Sequence, residues 1–150
     1  MEVINTSTKI LDTAQELIQT RGYSAISFQL IAEQVGMATL KFADLSNHRT
    51  TDYVFDLDQF SQFEGRTGPY LLYSAVRIKS ILRKAQARGL GPGDFVPAAS
   101  GVERDLVLAL CAFPDAVEKA CAERAPNHLC EFGYVLARAF SRFYMDCHVL

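Results

Sequence analysis

The chain has 150 residues, 49% of them hydrophobic and 21% charged, with a net charge of −2; this allows one domain, or one domain with a small appendage, and enough apolar surface for a core. No apolar run reaches the ~20 residues of a membrane helix, and Met1-Glu2-Val3-Ile4-Asn5 carries neither the basic nor the apolar stretch of a secretory signal, so a cytoplasmic protein without a membrane partner is expected. Cys111, Cys121, Cys130 and Cys147 show no Cys-x-x-Cys spacing, and His48, His128 and His148 complete no zinc pattern, so reduced thiols and no bound metal are expected.

Ile10, Leu11, Ala14, Leu17 and Ile18 recur at the spacing of a buried helical face, which predicts a first helix over 7–21, capped by Thr6 or Ser7 and ended by Gly22. Ser27 can cap a short second helix over 28–34, stopped by Gly36, with a third short helix over 38–45. Ser46 to Thr51 is polar and reads as a turn; Tyr53-Val54-Phe55 is β-prone but too short to found a sheet. Asp52, Asp56 and Asp58 read as caps and solvated groups, because a calcium loop's glycine and distal glutamate are missing. A long helix is predicted over 68–88, with Thr67 as cap, Pro69 in the first turn and Gly89-Leu90-Gly91-Pro92-Gly93 as its end. An exposed loop over 96–101 precedes helices predicted over 103–112, 115–124 and 127–147; in the last, Leu129, Phe132, Leu136, Phe140 and Phe143 form one apolar seam. Helices with short joints and no strand pattern predict an all-α bundle.

The charge is not evenly spread. Between Gly65 and Gly93 stand Arg66, Arg77, Lys79, Arg83, Lys84 and Arg88 with no acidic residue among them, a local electrostatic footprint in a near-neutral chain. On the 68–88 helix, with Tyr70 at zero, Leu71, Ala75, Ile78, Leu82 and Ala85 fall at about 60° to 140° and predict the core face. Tyr70, Tyr73, Arg77, Lys84 and Arg88 fall at about −60° to +20°. Rings that stack on unpaired bases beside cations that hold phosphates suit looped RNA, with Arg77, Lys84 and Arg88 as the backbone contacts. A core-edge tyrosine pair with a solvated basic flank has the same pattern.

The segments Val35 to Asn47, Tyr53 to Asp58, Phe63-Glu64-Gly65-Arg66-Thr67-Gly68-Pro69-Tyr70-Leu71-Leu72-Tyr73, Arg77 to Lys84, Ala125 to Glu131 and Phe140 to Tyr144 together resemble the C-terminal part of bacterial arginine–tRNA ligases. The resemblance implies the end of a catalytic region running into a helical anticodon-binding domain. It places Tyr70, Tyr73 and Tyr144 at an aromatic pocket for an anticodon base. The family's His-x-Gly-His and Lys-Met-Ser-Lys signatures are absent, so ATP and magnesium are expected only in a catalytic domain elsewhere, and the chain alone is expected not to charge tRNA. The family usually continues past the position of Leu150 with one more helix, and has proline where His148 stands.

Thr8 to Ile18, Arg21-Gly22-Tyr23, Ile26-Ser27 and Ile31 to Gly36 resemble the opening of a TetR-type repressor. Its recognition helix would follow Gly36, but Met37-Ala38-Thr39-Leu40-Lys41-Phe42 lacks the expected tyrosine and matches the ligase pattern instead. The chain therefore reads as a fusion joined near Val35-Gly36. The expected organisation is a partial helix-turn-helix head over 1–36, a connector over 37–64 and a C-terminally truncated anticodon-binding bundle over 65–150. The expected partner of this monomer is the anticodon stem-loop of a tRNA that accepts arginine, with no specific DNA. The alternatives are a TetR-like DNA-binding regulator and an inert truncated fusion.

Overall fold

A computed structural model of the chain describes residues 28–94 and 96–149; the predicted 7–21 helix and the Ser27 cap lie outside them. The described residues form α1 (Phe28–Leu45), α2 (Leu57–Phe60), α3 (Gly68–Ala87), α4 (Gly101–Cys111), α5 (Phe113–Glu123) and α6 (Asn127–Asp146), with no strand among them. The all-α expectation is met. No helix among the described residues is long and apolar enough to cross a membrane.

α1 corrects the reading of the head. Gly36 does not stop a helix: residues 28–45 run on as one, with no turn at Gly36. A glycine inside a helix costs only about 1 kcal/mol, and the strong helix formers around it outweigh that. Thr39 bonds back to the Val35 carbonyl at 2.9 Å across the same turn. The helix-turn-helix alternative loses its turn here. α2, a single turn missing from the sequence-based expectations, starts where the Asp56 carboxylate accepts the Gln59 N–H at 3.1 Å.

The chain divides into two compact units. The first takes in the described residues up to Asp44 together with Tyr53–Ser80. Its buried apolar residues are Ile31, Phe42, Ala43, Phe63, Tyr73 and Val76. The buried hydroxyls of Thr39, Thr67 and Ser74 each donate to a nearby carbonyl, of Val35, Gln62 and Tyr70, so none carries the cost of an unmade bond. α3 begins at a backbone-to-backbone approach. A Cβ on Gly68 would lie 1.9 Å from the Ala38 carbonyl oxygen and 2.4 Å from its carbon. Thr67 caps the helix as predicted, its hydroxyl oxygen accepting the Tyr70 N–H at 3.3 Å.

The second unit comprises Leu45–Asp52 and Ile81–Leu150, and in it α4, α5 and α6 pack on one another. Ser100 and Glu103 form a reciprocal capping box at the start of α4. Small and aromatic side chains make the core: Ala120, Ala125, Ala137 and Phe140 are buried, and Phe113 meets Phe132 at 5.4 Å between ring centroids. α5 ends on Arg124, whose φ of 49° puts a side-chain-bearing residue in the left-handed region, at a cost of about 1 kcal/mol. The Arg49 guanidinium, from the 45–52 turn, donates to the carbonyls of Glu123 (3.0 Å) and Arg124 at that helix end. A cation is favoured there by the helix dipole.

Two predictions follow from these contacts. Gly68→Ala should lower the stability of the chain by about 1–3 kcal/mol, because the group it meets is backbone; a denaturant titration followed by helix signal measures it. Second, the Glu123 carboxyl is held below its usual 4.5, first by the hydrogen bond from His128, and also by the charges of His128, Lys119 and His48, against an opposing effect of burial. A carboxyl lowered in the folded state stabilises above its unfolded value, and loses that contribution as pH falls through the lowered one. Wild type should therefore lose stability on acidification below 4.5 more steeply than His128→Ala, as read from melting temperature against pH.

Candidate nucleic-acid interface

The side chains singled out from the sequence are divided between the two units. In the first unit, the opening turns of α3 carry Tyr70, Tyr73 and Arg77. Tyr70 is half-buried. Tyr73 is only 7% exposed, with the Arg77 guanidinium carbon 4.5 Å from its ring centroid and a guanidinium N–H donating to its hydroxyl. A cation above an aromatic face and a satisfied phenol make this a preorganised pair. The arginine is half-buried, its stem held by the ring and its charge fixed in place.

This corrects the predicted core face. Of that face Leu71 and Ala85 are half-buried but Ala75, Ile78 and Leu82 are exposed, Leu82 at 63%, while Tyr73, Ser74 and Val76 are buried. The physical reason is that a tyrosine ring carries as much buriable surface as an aliphatic side chain once its hydroxyl has a partner, and Arg77 supplies that partner. Hydrophobic periodicity, which set the tyrosines apart from the aliphatic residues, put the inward face on the wrong side.

In the second unit, Lys84 lies in the last turn of α3, where a cation complements the helix dipole. Lys84 and Arg88 are exposed to solvent. Tyr144 sits on α6, 40% exposed, its ring 6.0 Å from that of Phe140. The Tyr144 ring thus lies beside a buried phenylalanine while the residue itself is partly exposed. The α6 seam faces inward along most of its length, with Phe140 buried, Phe132, Leu136 and Phe143 half-buried and Leu129 at 39% exposure on its edge.

Sequence reasoning passed over two arginines of α6. Arg138 and Arg142 are exposed, and the Arg138 guanidinium carbon stands 5.8 Å from the Tyr134 ring centroid. The signal was present, since these are the only charged residues between Glu131 and Asp146. Tyr53 was likewise set aside as part of a β-prone triplet. Its ring meets Phe60 edge-on at 6.3 Å, and burial, followed by the neighbouring Asp44 carboxylate, raises its phenol above the usual 10.0.

The chemistry available is stacking and cation display. Asp56 is committed to capping α2, and among the described residues no group of three His, Cys, Asp or Glu side chains is gathered for a metal ion. Tyr73→Phe tests the preorganised pair. It should keep the fold, lower the melting temperature by a few degrees through a lost bond worth ~1 kcal/mol, and leave the Arg77 guanidinium mobile, as seen in its side-chain NMR linewidth.

Residues 71–150 match the DALR anticodon binding domain family. The chain is 51% identical over 144 residues to the arginine–tRNA ligase of Maricaulis maris, covering 93% of this chain and 24% of that protein. It is 48% identical over 121 residues to that of Alkaliphilus oremlandii, covering 80% and 21%. Among solved structures it is similar to arginyl-tRNA synthetase of Thermus thermophilus, with a TM-score of 0.69 and 26% identity, covering 93% of this chain and 23% of the other. The synthetase of Plasmodium falciparum is similar with a TM-score of 0.71 and 26% identity, covering 96% and 26%. The chain thus spans about a quarter of the length of the relatives it matches. The regular structure of its described residues is helical, Tyr73, Arg77, Lys84 and Tyr144 lie on α3 and α6, and all four fall within the match from residue 71 onward: the chain belongs to the DALR anticodon-binding domain family, in the form carried by arginine–tRNA ligases.

Proposed function

We propose that the helical body binds the anticodon stem-loop of a tRNA that accepts arginine, as part of arginyl-tRNA formation in the cytoplasm. The observation that carries the reading is the match of residues 71–150 to an anticodon-binding family, with an exposed ring, Tyr144, and exposed cations among the matched residues and Tyr70 just before them. Tyr70 and Tyr144 are the rings open enough to stack on an unpaired base. Tyr73, being buried, acts by holding Arg77. Arg77, Lys84 and Arg88 are the backbone contacts, with guanidinium groups suited to phosphate forks and the ammonium to a point contact. In this reading ATP and magnesium serve adenylate formation in the ligase's catalytic region, and this chain contributes tRNA binding. It acts as a monomer and reads RNA rather than DNA.

Tyr144→Ala should weaken binding of that stem-loop by roughly five- to a hundred-fold, the loss of one stacking contact of ~1–3 kcal/mol, with little change in salt dependence. Lys84→Ala should instead reduce the slope of log affinity against log salt by about 0.7–0.9. Fluorescence anisotropy across a salt series separates the two. Equal binding of a stem-loop with altered anticodon bases would sink the anticodon reading.

A further inference from the structure

A groove of about 370 Å³ runs between α4 and α6 in the second unit. Its walls include Asp105 and Leu108 from α4, and Val135, Arg138 and Arg142 from α6. On the α6 wheel Tyr144 lies about 200° around from Arg142, so this groove belongs to a different face from the ring assigned to the anticodon.

Several observations converge on an anionic occupant. The two arginines are one helical turn apart and both exposed. They are the only charges on α6 between Glu131 and Asp146. Among the described residues neither guanidinium takes part in an ion pair, although Asp105 lines the same groove. Tyr134 lies near Arg138 at 5.8 Å, a contact that orients the fork without neutralising it. The groove is also apolar at its sides, with Leu108 at 56% and Val135 at 48% exposure. A phosphodiester strand matches that mixture: its phosphates take the forked guanidinium donors, and its sugar and base faces lie on aliphatic carbon.

We propose that the α4–α6 groove is a second RNA-backbone site, in which Arg138 and Arg142 clamp phosphates of the bound tRNA away from the anticodon bases. The proposal rests on the tRNA-binding reading and extends it to a face of α6 other than the one that carries Tyr144. Asp105 opposes the clamp, since its carboxylate repels phosphate. It limits affinity and discriminates against simple anions that lack a sugar or base to place on Leu108 and Val135.

The test uses the full chain and a whole transcript of an arginine-accepting tRNA, with binding followed over a salt series. Arg138→Ala and Arg142→Ala should each lower the log–log salt slope by about 0.7–0.9, leaving the preference for the correct anticodon unchanged. Arg142→Lys should retain the slope, and Asp105→Asn should tighten binding. Helix content by circular dichroism must match wild type, which these exposed positions allow. If wild type binds with anticodon preference while both alanine variants keep its slope, the clamp is wrong and the anticodon reading stands. If wild type binds no tRNA, both fail. An acidic protein segment competing for the groove, with RNA binding untouched by the arginine variants, would also overturn the proposal.

Discussion

The approach of Gly68 to the Ala38 carbonyl leaves no room for a side chain between α1 and α3, and the first half of α3 takes its placement from that contact. With the helix start fixed there and capped by Thr67, Tyr70 falls at the rim and Tyr73 inward. Arg77 then follows one turn later, in reach of the Tyr73 hydroxyl. Hydrophobic burial does not choose this register unaided, because the exposed Ile78 and Leu82 would bury as well or better. A steric exclusion outranks a transfer energy here: overlapping backbone atoms cannot be relieved by a rotamer change, whereas an aliphatic side chain left in water costs only a kilocalorie or two.

Two ring–arginine pairs divide labour in the same way. A buried or half-buried ring supplies rigidity, and a cation beside it supplies charge: Tyr73 with Arg77 on α3, Tyr134 with Arg138 on α6. A flexible arginine loses rotamer freedom on binding phosphate, of order 1–2 kcal/mol. An arginine already resting on an aromatic face has given up part of that freedom during folding. In a chain with a near-neutral net charge of −2, a few placed cations would attract a polyanion at chosen points while the remaining surface would not hold it indiscriminately.

The sequence made the later helices legible and the earlier ones less so, for physical reasons that individual residues show. α4, α5 and α6 begin at local signals, the Ser100–Glu103 box and the first-turn Pro114, with α6 following Pro126, and such signals act within one turn. Gly36 misled because a glycine's cost is small against the cooperativity of a helix whose neighbours are already formed. The aliphatic stripe of α3 misled because periodicity counts residue types, not the satisfaction of their polar atoms. Tyr73 could be placed inside only by knowing that Arg77 reaches its hydroxyl. Arg138 and Arg142 stand one helical turn apart, a spacing the sequence does show, but that they share a groove with residues of α4 is visible only in the fold. The run whose resemblance to the family is most specific, Tyr53 to Lys84, includes the Thr67 cap and the Gly68 contact.

The Arg49 clamp on the end of α5 has a topological consequence. Its guanidinium comes from Leu45–Asp52, a segment that belongs with Ile81–Leu150, while Tyr53–Ser80 belongs with the residues before it. The two units are interleaved along the chain, so no single cut of the polypeptide separates them whole. A fragment trimmed to the family boundary at residue 71 discards Arg49 and leaves the Glu123 and Arg124 carbonyls to water, with the left-handed Arg124 no longer braced. Synthesis meets the same ordering: the 45–52 turn is made before the α5 terminus that it braces, so this contact of the second unit closes only after Arg124 has been added and the intervening Tyr53–Ser80 has been left to the first unit.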